Sequence, residues 1–135
     1  METSALLAAL LEQDLAARNA LDLQDTGHRV TSALTFAEAE RAIVRARAAA
    51  RLTAPDERAA LRWLRQFRRS CSVIAVTHAV LGRAGRPFPA EPIRTLDAIH
   101  LATAELLGEP PQLVTILTRD ARVRANAQAL GYALE

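Results

Sequence analysis

Leu113-Val114-Thr115-Ile116-Leu117, running on into Thr118-Arg119-Asp120, is the stretch that decides the fold. An unbroken apolar and β-branched run reads as a buried strand, and the acid after it stands where a helix from Ala121 to Leu130 begins, ended by Gly131. Tyr132-Ala133-Leu134 then reads as a last strand. Strand, acid, helix, strand is the punctuation of a βα chain.

Working outward, the same order recurs. Thr95 to Leu107 reads as a helix ended by Gly108, and the loop Gly85-Arg86-Pro87-Phe88-Pro89 stops any helix before it. Ser72 to Val76 is β-branched enough for a strand, followed by a short helix ending near Gly82. Pro55 opens a helix with Ala60, Leu61, Leu64 and Phe67 inward and arginines outward. A helix from about Phe36 to Arg51 carries the stripe Phe36, Ala39, Ile43, Ala46 and Ala50, after a strand at His28-Arg29-Val30-Thr31. Ser4 to Leu11 and Leu15 to Leu23 read as short helices. Strands separated by helices predict an α/β fold with a mainly parallel sheet, covered on both faces in three layers.

Composition sets the bounds. A chain of 135 residues fits one domain over 1–135 and buries a core without cross-links. Half of it is hydrophobic but only 4% is aromatic, so the core is built from Leu, Ile, Val and much Ala. The lone Cys71 forms no internal disulfide and reads as a small packed residue. No stretch has the length of a membrane span or the pattern of a secretory signal, which makes the cytoplasm the expected location. All 17 basic side chains are arginine at a net charge of +2. Arginine pairs with phosphate, yet the absence of lysine beside abundant alanine is equally what a codon bias produces, and the bias is preferred.

Four acids fall near helix starts on this map: Glu2 before the first helix, Glu38 and Asp97 in first turns, and Asp120 just before the last helix. Each has a plain structural reading. Thr35-Phe36-Ala37-Glu38 fits a capping box, Asp120 an N-cap, and Asp97 a complement to a helix dipole. Together they point further, because helix starts follow the carboxyl ends of parallel strands, where such sheets bind ligands. With hydroxyls at Thr3, Ser4 and Thr118 nearby in the pattern, the acids are candidates for one pocket. Carboxylates without a cysteine or histidine set suit Mg²⁺ or Mn²⁺ rather than zinc. Two such ions about 3.5–4 Å apart activate water against a phosphodiester, which is nuclease chemistry.

The motifs Glu2-Thr3-Ser4-Ala5-Leu6-Leu7, Thr31-Ser32-Ala33-Leu34-Thr35-Phe36-Ala37-Glu38, Leu96-Asp97-Ala98-Ile99-His100-Leu101-Ala102, and Thr118-Arg119-Asp120 with Arg124-Ala125-Asn126-Ala127, resemble the PIN-domain ribonucleases. Within them the likeness is to the VapC-type toxins of toxin–antitoxin pairs. The resemblance spans nearly the whole chain. It implies a Mg²⁺- or Mn²⁺-dependent endoribonuclease that acts on RNA, is often a homodimer, and is neutralised by a small antitoxin. Glu38, Asp97 and Asp120 match acids of the family's metal site. The expected catalytic set is Glu2, Glu38, Asp97 and Asp120, with Glu2, Asp97 and Asp120 on metal and Ser4 and Thr118 supporting.

Two departures stand out. The family opens with aspartate where this chain has the longer Glu2, which shifts the carboxylate by a methylene. The family also places a hydrophobic central strand before that acid, whereas only Met1 precedes Glu2 here. The expectation is a longer natural chain, with about five to seven in-frame codons rich in Val, Ile or Tyr upstream, a usual strand length. A catalytically degenerate module that works by binding a protein is the alternative, and a nuclease acting on DNA is a third. His28, His78 and His100 lack metal spacing and are assigned structural roles, although His100 lies one turn after Asp97. Trp63 is expected in the core or an interface rather than stacked on a base.

Overall fold

The computed structural model describes residues 1–12 and 28–135. Its helices are α1 (Thr3–Leu11), α2 (Ala33–Ala48), α3 (Ala54–Arg69), α4 (His78–Ala84), α5 (Thr95–Glu105) and α6 (Ala121–Ala129). The strands are β1 (Val30–Ser32), β2 (Ser72–Ile74), β3 (Thr115–Ile116) and β4 (Ala133–Leu134), with a 3₁₀ turn over Pro111–Leu113. The expected helix Leu15 to Leu23 lies outside the described residues. Both strand pairs are parallel: β1 with β2, in the register Val30 to Ser72, and β3 with β4, in the register Thr115 to Ala133. Helices make every crossover, as a parallel sheet requires.

Local chemistry explains where the elements start and where the expected boundaries shift. The expected helix from Phe36 begins earlier, at Ala33, because the Ser32 hydroxyl accepts from the Leu34 N–H and caps it. Thr35 is therefore inside the helix, fully buried, with its hydroxyl 2.8 Å from that of Thr31. Glu38 moves from the first turn to the second, and the capping box expected at Thr35 and Glu38 does not form. It forms instead at Thr53 and Asp56, on either side of Pro55. The expected strand from Leu113 shortens to Thr115–Ile116, since Pro111 turns the backbone into a 3₁₀ bend and leaves Leu113 77% exposed. The second strand stops at Ile74, and α4 runs past Gly82 to Ala84.

Packing falls into two clusters. Leu6 of α1, Phe36 and Ile43 of α2, and Leu64 and Phe67 of α3 form one. Val80, Phe88, Leu101, Ile116, Val123 and Tyr132 form the other, around α5 and α6. Ala39, Ala102 and Ala127 are fully buried, so helices approach closely through side chains that take little space. Trp63 stacks on Phe67 with centroids 5.0 Å apart, in line with a packed role. Asn126, also fully buried, accepts from Ala90 N–H through Oδ1 and donates to Ala90 O through Nδ2, both at 2.8 Å. That pair pins the loop before α5 onto α6.

The two strand pairs do not hydrogen-bond to each other. Between them the backbone of Met1 and Glu2 makes the link: the Met1 amine donates to Val30 O at 3.0 Å, and Glu2 N–H to Leu117 O at 2.9 Å. Beyond that dipeptide a cavity of about 630 Å³ opens between the inner edges of β1 and β3, lined by Val30, Thr31, Thr115 and Ile116 among others. Burial lowers the pKa of the Met1 amine, against the nearby Cys71 and Glu2, because an ammonium is costly away from water. Among the described residues no helix is long and apolar enough to cross a membrane.

Candidate active site

Each expected site acid stands at a helix start or one turn inside it. Glu2 precedes α1, where its Oε1 accepts from Ser4 N–H at 3.0 Å. Asp120 caps α6, with Oδ1 accepting from Arg122 N–H at 2.8 Å and Val123 N–H at 3.2 Å. The capping role is thus real at both positions. Both bonds of Asp120 fall on one oxygen, so Oδ2 is left for another partner. Asp97 is different: α5 has no side-chain cap, and Asp97 sits in its first turn without serving as one.

Ser4 and Thr118 tie Glu2 to the turn after β3. Thr118 Oγ1 donates to Glu2 Oε2 at 2.7 Å, and the Ser4 hydroxyl bonds the same oxygen. Ser4 Oγ in turn accepts from Arg119 N–H at 2.7 Å, while Thr118 Oγ1 accepts from Asp120 N–H at 3.1 Å. Glu2 and Thr118 are both buried, at 6% and 1% exposure. A buried carboxylate is tolerated only when its oxygens are satisfied, and here the hydroxyls do that.

Asp97 carries the electrostatic signature of a site. Its pKa is raised, first by burial and then by the negative charges of Asp120 and Glu2, with Arg94 and His100 opposing. Asp97 therefore lies in the field of Asp120 and Glu2, whereas Glu38 is not among the charges acting on it. Asp97 Oδ2 is buried and has no hydrogen-bond partner. An orphaned acid oxygen on a side chain in the field of two more carboxylates is an energetic cost that a divalent cation would relieve, and hard oxygen donors suit Mg²⁺ or Mn²⁺. Among the described residues no three acid, histidine or cysteine side chains converge tightly enough to grip an ion as they stand. Glu2 and Asp120 point part of their carboxylates at their caps instead.

Glu38 belongs to a second group that the sequence pattern did not disclose. Its Oε1 accepts from Thr3 Oγ1 at 2.6 Å and from His100 Nε2 at 2.7 Å, and Thr3 Oγ1 lies 3.1 Å from the same ring nitrogen. Burial acts to raise the Glu38 pKa, but the hydrogen bonds from His100 and Thr3 and the charges of His100 and Arg45 outweigh it, so the pKa is lowered. The available hint was spacing: His100 follows Asp97 by three positions, which puts both on one helical face. The His28 ring lies 2.6 Å from Ser72 Oγ, exposed and two residues ahead of β1.

The family model described as PIN domain matches residues 1–128, which take in every one of these acids. The chain belongs to the PIN-domain family. Among curated relatives, Ribonuclease VapC35 of Mycobacterium tuberculosis H37Rv is 34% identical over 137 residues, covering 99% of this chain and 93% of that protein. Its counterpart from strain CDC 1551 gives the same values. Ribonuclease VapC46 of strain H37Rv is 42% identical over 106 residues, 78% of this chain and 72% of that protein. No solved structure matches the chain. The mixed α/β class with parallel strands read from the sequence is the class of this PIN fold.

Proposed function

We propose that this PIN domain is a Mg²⁺- or Mn²⁺-dependent endoribonuclease, the toxin of a toxin–antitoxin pair. The observation that carries it is Asp97: a buried, partnerless carboxylate oxygen in the field of Asp120 and Glu2. The ribonuclease names of the similar VapC35 and VapC46 supply the substrate class. Asp97, Asp120 and Glu2 hold the metal, and Glu38 completes the catalytic set. Divalent metal held there supplies positive charge to the scissile phosphate and acidifies the attacking water.

The chain's own residues prepare that chemistry. Thr118 and Ser4 keep Glu2 aimed by donating to it. The α6 N–H groups hold Asp120 by one oxygen and release the other. The cellular setting is cytoplasmic, with a small antitoxin as protein partner and a homodimer as the assembly. One domain over 1–135 does the work.

A partner-binding module without catalysis is favoured by one observation, that both Glu2 oxygens are already satisfied by Ser4 and Thr118. Incubating the purified protein with matched RNA and DNA oligonucleotides, with Mg²⁺, Mn²⁺ or a chelator, separates the possibilities. Metal-dependent cleavage confined to RNA is expected. Cleavage that survives chelation, or none with either metal, overturns the nuclease proposal. Expression from the native operon is expected to bring down a small protein in equal amount, and recovery of a lone toxic chain counts against the antitoxin.

A further inference from the structure

Three helices meet at one carboxylate oxygen. Thr3 of α1 and His100 of α5 both donate to Oε1 of Glu38 on α2, at 2.6 and 2.7 Å. An ionised carboxylate has no proton to give, so His100 Nε2 is the donor and carries the hydrogen. The arrangement is enclosed, with the His100 side chain 4% and Thr3 3% exposed, whereas the Glu38 side chain keeps 24%. The buried ends of the contact are thus the donors, and the acid is the member that reaches toward solvent.

We propose that His100, with Thr3 as second donor, is a positioning residue for Glu38: it anchors Oε1 and leaves Oε2 unengaged by either donor. Glutamate has several rotatable bonds, and fixing one oxygen selects one orientation for the other before metal and RNA arrive. His100 is suited to this because it sits one turn from Asp97 on α5, so a single helix sets both Asp97 and the donor that holds Glu38. Thr3 sets Glu38 from α1, the helix that Glu2 caps. The clamp therefore ties the spacing of the catalytic acids to the packing of α1, α2 and α5. Outer groups that orient metal-site residues in this way commonly change metal affinity or activity by about 10–100-fold when removed.

This rests on the nuclease assignment, so the test reads the two separately. His100→Ala, His100→Gln, Thr3→Val and Glu38→Ala, alone and combined, are compared for RNA cleavage with Mn²⁺ and for Mn²⁺ binding followed by the spin signal of the free ion. His100→Ala is expected to lower kcat and weaken Mn²⁺ binding by about 10–100-fold while KM changes little. His100→Gln, which restores an N–H near the Nε2 position, is expected to recover most of both losses. In the Glu38→Ala background, removing His100 or Thr3 is expected to add nothing. Equal losses with and without Glu38, or glutamine no better than alanine, overturn the clamp while the parent's cleavage upholds the nuclease. A parent that neither binds Mn²⁺ nor cuts RNA overturns both. Should His100→Ala not fold, His100→Gln and Thr3→Val carry the same comparison, and Thr3→Val losses that persist without Glu38 overturn the clamp.

Discussion

Thr118 Oγ1 donates a 2.7 Å hydrogen bond to Glu2 Oε2 across 116 positions of sequence. The same hydroxyl oxygen accepts from Asp120 N–H, so one buried threonine fixes two of the acids. Thr118→Val keeps the shape and removes both bonds. It leaves Glu2 short of a donor in a buried place, and the expected cost is about 1–3 kcal/mol, read from urea unfolding. Unchanged stability with unchanged metal response would show that Thr118 positions neither acid.

Asp97→Asn removes a charge from the shared field and nearly preserves volume. Without metal the melting temperature is expected to rise, because the repulsion from Asp120 and Glu2 disappears. The further rise on adding Mg²⁺ or Mn²⁺ is expected to shrink, since a ligand stabilises only in proportion to its affinity for the folded state. RNA cleavage is expected to fall steeply, by about two orders of magnitude or more, as when one charge-stabilising group is lost. A variant that cleaves like the parent rejects Asp97 as a site residue.

The pH dependence of metal-free stability has two opposing parts. The folded pKa of Asp97 is raised, so the folded state holds its proton longer and stability falls as pH rises from the usual aspartate range toward that higher value. The folded pKa of Glu38 is lowered, so its contribution is present above the usual glutamate value and is lost as pH falls through the lower one. Melting curves from acid to neutral pH are expected to show Asp97→Asn gaining on the parent as pH rises. Glu38→Gln is expected to lose most at neutral pH and to converge with the parent in acid. The opposite trends contradict the assigned shifts.

Asn126 is a structural counterpart to these sites. Its amide holds Ala90 in both directions and also donates to Arg122 O at 3.0 Å. Asn126→Ala strands those backbone groups, and an expected loss of about 1–3 kcal/mol follows. Hydrogen exchange is expected to speed up in the loop at Ala90 before α5. Loss of stability without that local change would place the role of Asn126 elsewhere.

Much of the molecule was legible from short-range pattern. Pro55, Asp97 and Asp120 each lie at or near the helix start that their neighbours announce, because capping is decided within about four residues. The motifs around Glu2, Glu38, Asp97 and Asp120 carry enough of the PIN pattern to name the family. Where two local solutions competed, the chain did not disclose the winner. Ser32 rather than the Thr35 box starts α2, because Thr35 is taken inward by Thr31. Leu113 looked like strand core and is exposed, because Pro111 bends the backbone first.

The sequence by itself determined the order of helices and strands, the acids at helix starts and the family, since each is written in spacing over a few residues. Only the tertiary structure decided that β1 and β3 face each other across a cavity with Met1 and Glu2 between them. It also decided that His100, 62 positions from Glu38 and 97 from Thr3, belongs with them. Partners so far apart are chosen by how α1, α2 and α5 pack, and periodicity along one helix holds no record of which polar group the neighbouring helix will present.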